Sequence, residues 1–335
     1  MTPEPIWKPG SVSHSTTPVC VLGLGLIGGS ILRALTAAGR PAYGWNRTAA
    51  GADAARADGF DASSDLRATL ARADAGHIVL VAVPVPALDE VFAAVARQAP
   101  NAWLTDAVSV KGDVAARVAA AGLTARYAGA HPMAGTAESG WAATTGDLFR
   151  DATWVVTADD TTPAPAWREA AAVGLDCGAV VVPAGSAEHD AAVARISHSV
   201  HLLAEAAALT AELDPGASRL ALTLAASSFR DVTRVAGTAP SLVRAMCEGN
   251  RDALLDALDD TIAELISARA ELADHGTVAD LVERGHAARA DYEAVTRTPF
   301  TPELGGPGWQ RMLRERGHLG GVVTALPSSA PSTDR

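Results

Sequence analysis

The three glycines of Gly23-Leu24-Gly25-Leu26-Ile27-Gly28 constrain this chain more than any other feature. They follow the apolar run Val19-Cys20-Val21-Leu22 at once and open a helical pattern that lasts to about Gly39. In that setting Gly23 permits the tight turn from strand to helix, Gly25 lets backbone approach a pyrophosphate, and Gly28 lets helix and strand pack closely. The amides of Leu26, Ile27 and Gly28, at the helix N-terminus, then face the phosphates. Strand, spacing and helix together predict a dinucleotide site at the start of an α/β domain.

The chain divides into halves of different periodicity. Up to about Pro183, short apolar runs alternate with Ala-rich helical patterns: Val19–Leu22, Ala42–Trp45, Ile78–Val83, Trp103–Thr105, Tyr127–Ala130, Trp154–Val156 and Val180–Val182. Such runs predict a mostly parallel, doubly wound sheet covered on both faces. After Ala184 the strand signals stop, and helical stretches follow at Glu188–Leu213, Ser218–Ala236, Ser241–Glu248, Asn250–Leu272 and near Val278–Val295. Leu254, Leu255, Leu258, Ile262, Leu265 and Ile266 recur at helical spacing, an apolar face that needs a partner. The fold class is therefore α/β plus all-α. The expected organisation is a disordered tail at 1–17, an NAD(P)-binding domain at 18–185, a helical substrate and dimerisation domain at 186–298, and a Pro/Gly-rich extension at 299–335 that holds a short helix and ends disordered.

Composition excludes several classes. The 335 residues, 48% hydrophobic and 19% charged, are enough for about two domains with real cores. Lys and Arg number 27 against 38 Asp and Glu, a net charge of −11, which argues against nucleic acid as partner. Cys20, Cys177 and Cys247 lie far apart without C-x-x-C pairing, which suggests a reducing compartment, and the expected location is cytoplasmic. No apolar run is long enough for the roughly 30 Å of bilayer hydrocarbon, so no membrane segment is expected.

At the end of the second strand, where an Asp or Glu would bind the ribose hydroxyls of NAD, the chain has Asn46-Arg47-Thr48. Without the carboxylate a 2′-phosphate is not repelled, and a guanidinium suits it, so NADP is favoured with NAD the alternative. Val83 and Pro84, in Val83-Pro84-Val85-Pro86, should form a loop flanking the cofactor at the sheet's C-terminal edge.

Hydride transfer needs a group that takes the proton of the alcohol being oxidised. Of nine histidines, His131 lies just past a strand, in His131-Pro132-Met133-Ala134-Gly135-Thr136, where crevice loops of an open sheet carry ligands. In chain order, Gly23–Gly29, Asp106-Ala107-Val108-Ser109-Val110-Lys111, His131–Gly140, His189-Asp190, Ile196-Ser197-His198-Ser199-Val200-His201 and Phe229–Ala236 resemble the prephenate/arogenate dehydrogenase family of tyrosine biosynthesis. The resemblance implies a Rossmann-like nucleotide-binding domain, a helical domain that forms a homodimer, and oxidative decarboxylation of prephenate to 4-hydroxyphenylpyruvate. Arogenate, giving tyrosine, is the alternative substrate. It also implies that His131 accepts from the ring hydroxyl, that Ser109 orients both, and that Arg234 grips a carboxylate of the small dicarboxylate substrate. Asp231, three residues before Arg234, can hold its guanidinium, and Arg230, one turn away, can assist. Ser197, His201 and Glu205 stand four apart on one helix face, and the resemblance makes His201 substrate-orienting with Ser197 beside it.

His189, His198 and His201 lack a recognisable zinc spacing, and no metal is expected. Two places depart from the family: Ala137, with the acid at Glu138, stands where many members carry Glu, and Val243 stands where some have Trp. Beta-hydroxyacid dehydrogenases, which place a catalytic Lys on a second-domain helix, are set aside because no Lys follows Lys111. A dinucleotide-sensing protein without turnover is the remote alternative; it would need the glycine loop but not His131, Ser109, His201 and Arg234 together.

Overall fold

The computed structural model describes residues 14–136, 138–213 and 218–327. Residues 1–13 and 328–335, parts of the two expected disordered tails, lie outside the described residues, as does Ala137. The chain forms two compact units, one of Asp190–Thr296 and the other of the segments before and after it.

The first unit begins β1 (Val19–Leu22), α1 (Leu26–Ala37), β2 (Ala42–Trp45), α2 (Ala49–Ala57), β3 (Ala62–Ser63), α3 (Leu66–Ala73), β4 (Ile78–Val81), α4 (Leu88–Gln98), β5 (Trp103–Asp106) and α5 (Gly112–Ala120). All five strands are parallel, in the order β3-β2-β1-β4-β5. Along β1, Val19 and Val21 enter one hydrophobic core while Cys20 and Leu22 enter the other; along β4, Ile78 and Leu80 divide from Val79 and Val81 in the same way. A strand buried on both faces has no position for a polar side chain, which is why these runs are continuously apolar.

The single sheet expected from the sequence is two sheets. β6 (Ala130–Pro132), β7 (Thr153–Thr157) and β8 (Val180–Ala184) form a second one, with β6 antiparallel and β8 parallel to β7, and α6 (Ala164–Asp176) between β7 and β8. The expected strand Tyr127–Ala130 contributes only an isolated parallel bridge from Tyr127 to Leu104 before the chain turns into β6 at Ala130. The two-residue β3 had no apolar run to announce it.

Residues 14–17, expected in the N-terminal tail, are held instead. Buried Arg40 donates to Asp176 at 2.8 Å, to Glu169 at 2.9 Å and to the Thr17 carbonyl at 3.1 Å, while His14 and Ser15 bond the same two carboxylates. A guanidinium without solvent must find acceptors for its N–H groups, and the segment completes that set. The C-terminal extension is part of the same unit. α14 (Trp309–His318) packs Trp309 edge-on to Trp167, and Val323 adds a bridge to Val181.

α7 (Ser186–Val193) leads into a π-helical turn, Ala194–His198, and then α8 (Ser199–Thr210), α9 (Ser218–Leu224), α10 (Ser227–Thr233), a 3₁₀ turn at Arg234–Gly237, α11 (Pro240–Gly249), α12 (Arg251–His275) and α13 (Ala279–Ala294). Gly276, left-handed at φ 69°, ends α12. The described core of the second unit is small: Val243, Cys247 and Leu254, joined by Leu202, Met246 and Leu258. Leu255, Ile262, Leu265 and Ile266 of α12 are exposed. Among the described residues no helix is long and apolar enough to cross a membrane.

Candidate active site

Gly23 has φ +103°, and a Cβ there would lie 2.5 Å from the Ala82 carbonyl oxygen. Gly28 is tighter still, its Cβ falling 1.9 Å from the Gly23 carbonyl oxygen, so α1 rests directly on the turn. Apart from its own chain neighbours and adjoining helix backbone, no atom of the described residues lies within 4 Å of a Cβ position at Gly25. No side chain caps α1 and its first turn carries no acid. The three glycines thus divide into two that close the fold and one that opens on space, with helix amides facing it. That cradle fits a dinucleotide, whose pyrophosphate the amides of Leu26, Ile27 and Gly28 would hold.

Beside the cradle, Asn46 Oδ1 accepts from the Leu24 amide at 3.3 Å and its Nδ2 donates to Thr48 Oγ1 at 3.0 Å. Thr48 in turn caps α2 by accepting from the Gly51 amide. Asn46 and Thr48 therefore fix the β2 end to the glycine turn, and Arg47 between them is exposed and without an ion pair among the described residues. Val83 and Pro84 lie in the loop after β4, where Pro84 opens the 3₁₀ turn Val85–Ala87.

His131, on β6, has Nδ1 2.9 Å from Nε2 of His189, with the rings edge to face. His189 is 3% exposed. Between two neutral imidazoles one nitrogen donates and the other accepts, so the pair fixes one ring's tautomer through the other's. When His131 donates from Nδ1, its Nε2 carries the lone pair that accepts a proton. Ser109, half-buried in the loop after β5, makes no hydrogen bond to His131 among the described residues; His189 partners the ring that the resemblance gave to Ser109. The sequence reading missed His189 as a site residue. Its signal was present in His189-Asp190, but a lone histidine near a domain junction reads equally as polar packing.

In the second unit, His201 sits on α8 against the 3₁₀ turn. Burial holds its imidazole below the usual range, opposed by a bond to the Val235 backbone and by Glu205, while Arg234 adds to the depression. Its Nδ1 is buried without a partner among the described residues. His201, Glu205 and Arg234 are therefore near neighbours. Ser197 lies in the π-helical turn, so the regular spacing of four that grouped it with His201 and Glu205 is interrupted there. Asp231 does not hold Arg234: it lies 3.6 Å from Arg230, and Arg234, past the end of α10, is exposed with no ion pair among the described residues. The chain leaves α-helical geometry at Thr233, so the three-residue spacing no longer stacks the two side chains.

His198, buried, lies within hydrogen-bond distance of Asn250 at 3.1 Å, and among the described residues no group of three His, Cys, Asp or Glu could hold a metal ion. Glu138 is exposed, its amide donating to Thr136 Oγ1. Val243 is a core residue of the helical unit.

Two family models match the chain: "Prephenate dehydrogenase, nucleotide-binding domain" over residues 33–183 and "Prephenate dehydrogenase, dimerization domain" over residues 185–284. Cyclohexadienyl dehydrogenase of Zymomonas mobilis is 31% identical over 262 residues, 76% of this chain and 88% of that one. Prephenate dehydrogenase of Bacillus subtilis is 31% identical over 140 residues, 42% of this chain and only 38% of the relative's length. Among solved structures, a Corynebacterium glutamicum protein assigned as a prephenate dehydrogenase is 44% identical, with TM-score 0.88, over 93% of this chain and 99% of that one. Prephenate dehydrogenase from Aquifex aeolicus, in complex with hydroxyphenyl propionate and NAD+, shares the fold at TM-score 0.75 and 23% identity, covering 84% and 99%.

Proposed function

The chain belongs to the prephenate dehydrogenase family, and we propose that it oxidises and decarboxylates prephenate, with arogenate the alternative substrate, using NADP in preference to NAD. The observation that carries the reading is the His131–His189 pair in the same unit as an open glycine cradle. The pair offers a proton acceptor whose tautomer is set by its partner, and it belongs to the unit that carries the dinucleotide cradle.

A dinucleotide held at the Gly23–Gly28 cradle would supply the acceptor for the hydride of the ring carbon. His131 accepts the hydroxyl proton at Nε2 as the oxygen becomes carbonyl-like, and the Nδ1 bond to His189 stabilises the imidazolium that forms. Ser109 orients the hydroxyl. The electron pair of the bond to the ring carboxylate passes into the ring as carbon dioxide leaves, the phenolate oxygen so formed takes the proton back from His131 Nε2, and aromatisation makes the step effectively irreversible.

Arg234, exposed and unpaired among the described residues, is suited to a substrate carboxylate, with Arg230 assisting; Asp231 tempers Arg230 rather than Arg234. Depressed in pKa, His201 remains neutral near pH 7 and orients the substrate by hydrogen bonding rather than by charge, with Ser197 near it. NADP is supported by Arg47 and by the absence of a carboxylate at Asn46. A homodimer through the helical unit is supported by the exposed apolar residues of α12.

Steady-state kinetics on both substrates crossed with both cofactors tests the reading. Turnover with at least one pair is expected, whereas dinucleotide binding without turnover on either substrate would leave a sensing protein in its place.

A further inference from the structure

Lys111 and Asp106 are both 0% exposed, and a lysine so deep in a protein survives only where its ammonium is fully partnered. We propose that Lys111, through its ion pair with Asp106, is a positioning residue that sets the spacing between Ser109 and His131. The Lys111 Nζ donates to Asp106 Oδ1 and, at 2.6 Å, to the carbonyl of Ala130, the residue before His131. The same carboxylate oxygen accepts from the amide of Val108, the residue before Ser109, at 2.8 Å. Asp106 Oδ2 accepts from the Tyr127 hydroxyl at 2.7 Å. One buried pair thus grips the backbone immediately ahead of both residues.

Its place in the fold explains why such a grip is needed. Ser109 follows β5, the edge of the five-stranded sheet, and His131 lies on β6, which belongs to the other sheet. Between β5 and the chain entering β6 the only bridge among the described residues is Leu104 to Tyr127, with the Ala128 amide donating to the Leu104 carbonyl. A full ladder would fix the register of two strands, and here the directional donors of one ammonium take over that task. Gly129 keeps the seam closed: a Cβ there would lie 2.7 Å from the Tyr127 hydroxyl on its way to Asp106.

The inference rests on the reading of Ser109 and His131 as reaction residues, and its test separates the two. For Lys111→Arg and Lys111→Met, kcat, KM and dinucleotide Kd are measured per folded enzyme, alone and combined with Ser109→Ala. Each Lys111 variant is expected to lower kcat about tenfold or more, with KM and Kd within about threefold of the parent. In the Ser109→Ala background the further loss should fall below about threefold, since both changes disturb one geometry. If Lys111→Met leaves Asp106 too destabilising for folding, Lys111→Met with Asp106→Asn buries no uncompensated charge and carries the same expected loss. Parent kcat in any folded Lys111 variant, or fully multiplicative losses with Ser109→Ala, overturns the positioning role. If His131→Ala also turns over normally, the reading of the site falls with it; if His131→Ala is inactive, only the positioning role falls.

Discussion

Arg47, His131, His189 and His201 each owe their behaviour to a different neighbour. Arg47 is exposed between two residues that bond inward, so its charge is available to a ligand rather than to the fold. Arg47→Asp should lower the NADP-to-NAD ratio of kcat/KM by at least about tenfold; an unchanged ratio would show that the phosphate is recognised elsewhere. His131→Ala should lower kcat by about two to four orders of magnitude with dinucleotide Kd unchanged. His189→Ala, which removes the tautomer partner, should lower kcat less than that while leaving Kd unchanged, and a parent rate in this variant would detach the pair from catalysis. His201 makes a different prediction, of stability. Because the folded imidazole resists protonation, the unfolded chain binds more protons once pH falls toward the ordinary histidine value of 6.5. Stability is therefore undiminished by His201 above that value and is lost as pH falls through it. His201→Gln should lose less melting temperature between about pH 7.5 and about pH 5.5 than the parent does, and equal losses would contradict the depressed pKa.

Among the elements, α1 shows how one motif does two physical tasks. Gly28 is forced by backbone contact, whereas among the described residues nothing occupies the space beside Gly25. Gly25→Ala should therefore melt like the parent yet bind dinucleotide about tenfold or more weakly, and Gly28→Ala should lose both stability and binding. Melting curves with dinucleotide titrations decide; weak binding in neither variant would remove the ligand from the loop. The helical half repeats the lesson in reverse. Spacing arguments hold within a regular helix, as for His201 and Glu205, and fail at Ser197 and at Asp231–Arg234, where a π turn and a helix end intervene. Neither interruption has a Pro or Gly at the break to announce it.

For the whole molecule, the contrast in burial between the units matters most. Large apolar side chains of the helical unit, among them Ile262 at 49% and Ile266 at 62% exposed, find no cover within it. A face of this kind in a chain charged at −11 calls for a protein partner, and a second copy is the economical one. Sedimentation should give a dimer, and Ile262→Asp with Ile266→Asp should convert it to monomer or aggregate; an unaltered dimer would move the interface off α12.

The linear chain by itself determined the glycine turn, the alternation of doubly buried strands, the helical character of the stretch between Asp190 and Thr296 and the place of His131 just past a strand, although the short parallel pair Thr298–Pro299 with Gly321–Val322 had no signal in it. Each is encoded in neighbours within a few residues, where backbone sterics and side-chain period decide. Only the tertiary structure decided that His131 takes His189 as its partner across 58 residues of sequence, that Arg40 captures the N-terminal segment, and that the expected sheet divides at the Lys111–Asp106 seam. Those contacts join positions remote along the chain, and their geometry exists only once the strands and helices between them have packed.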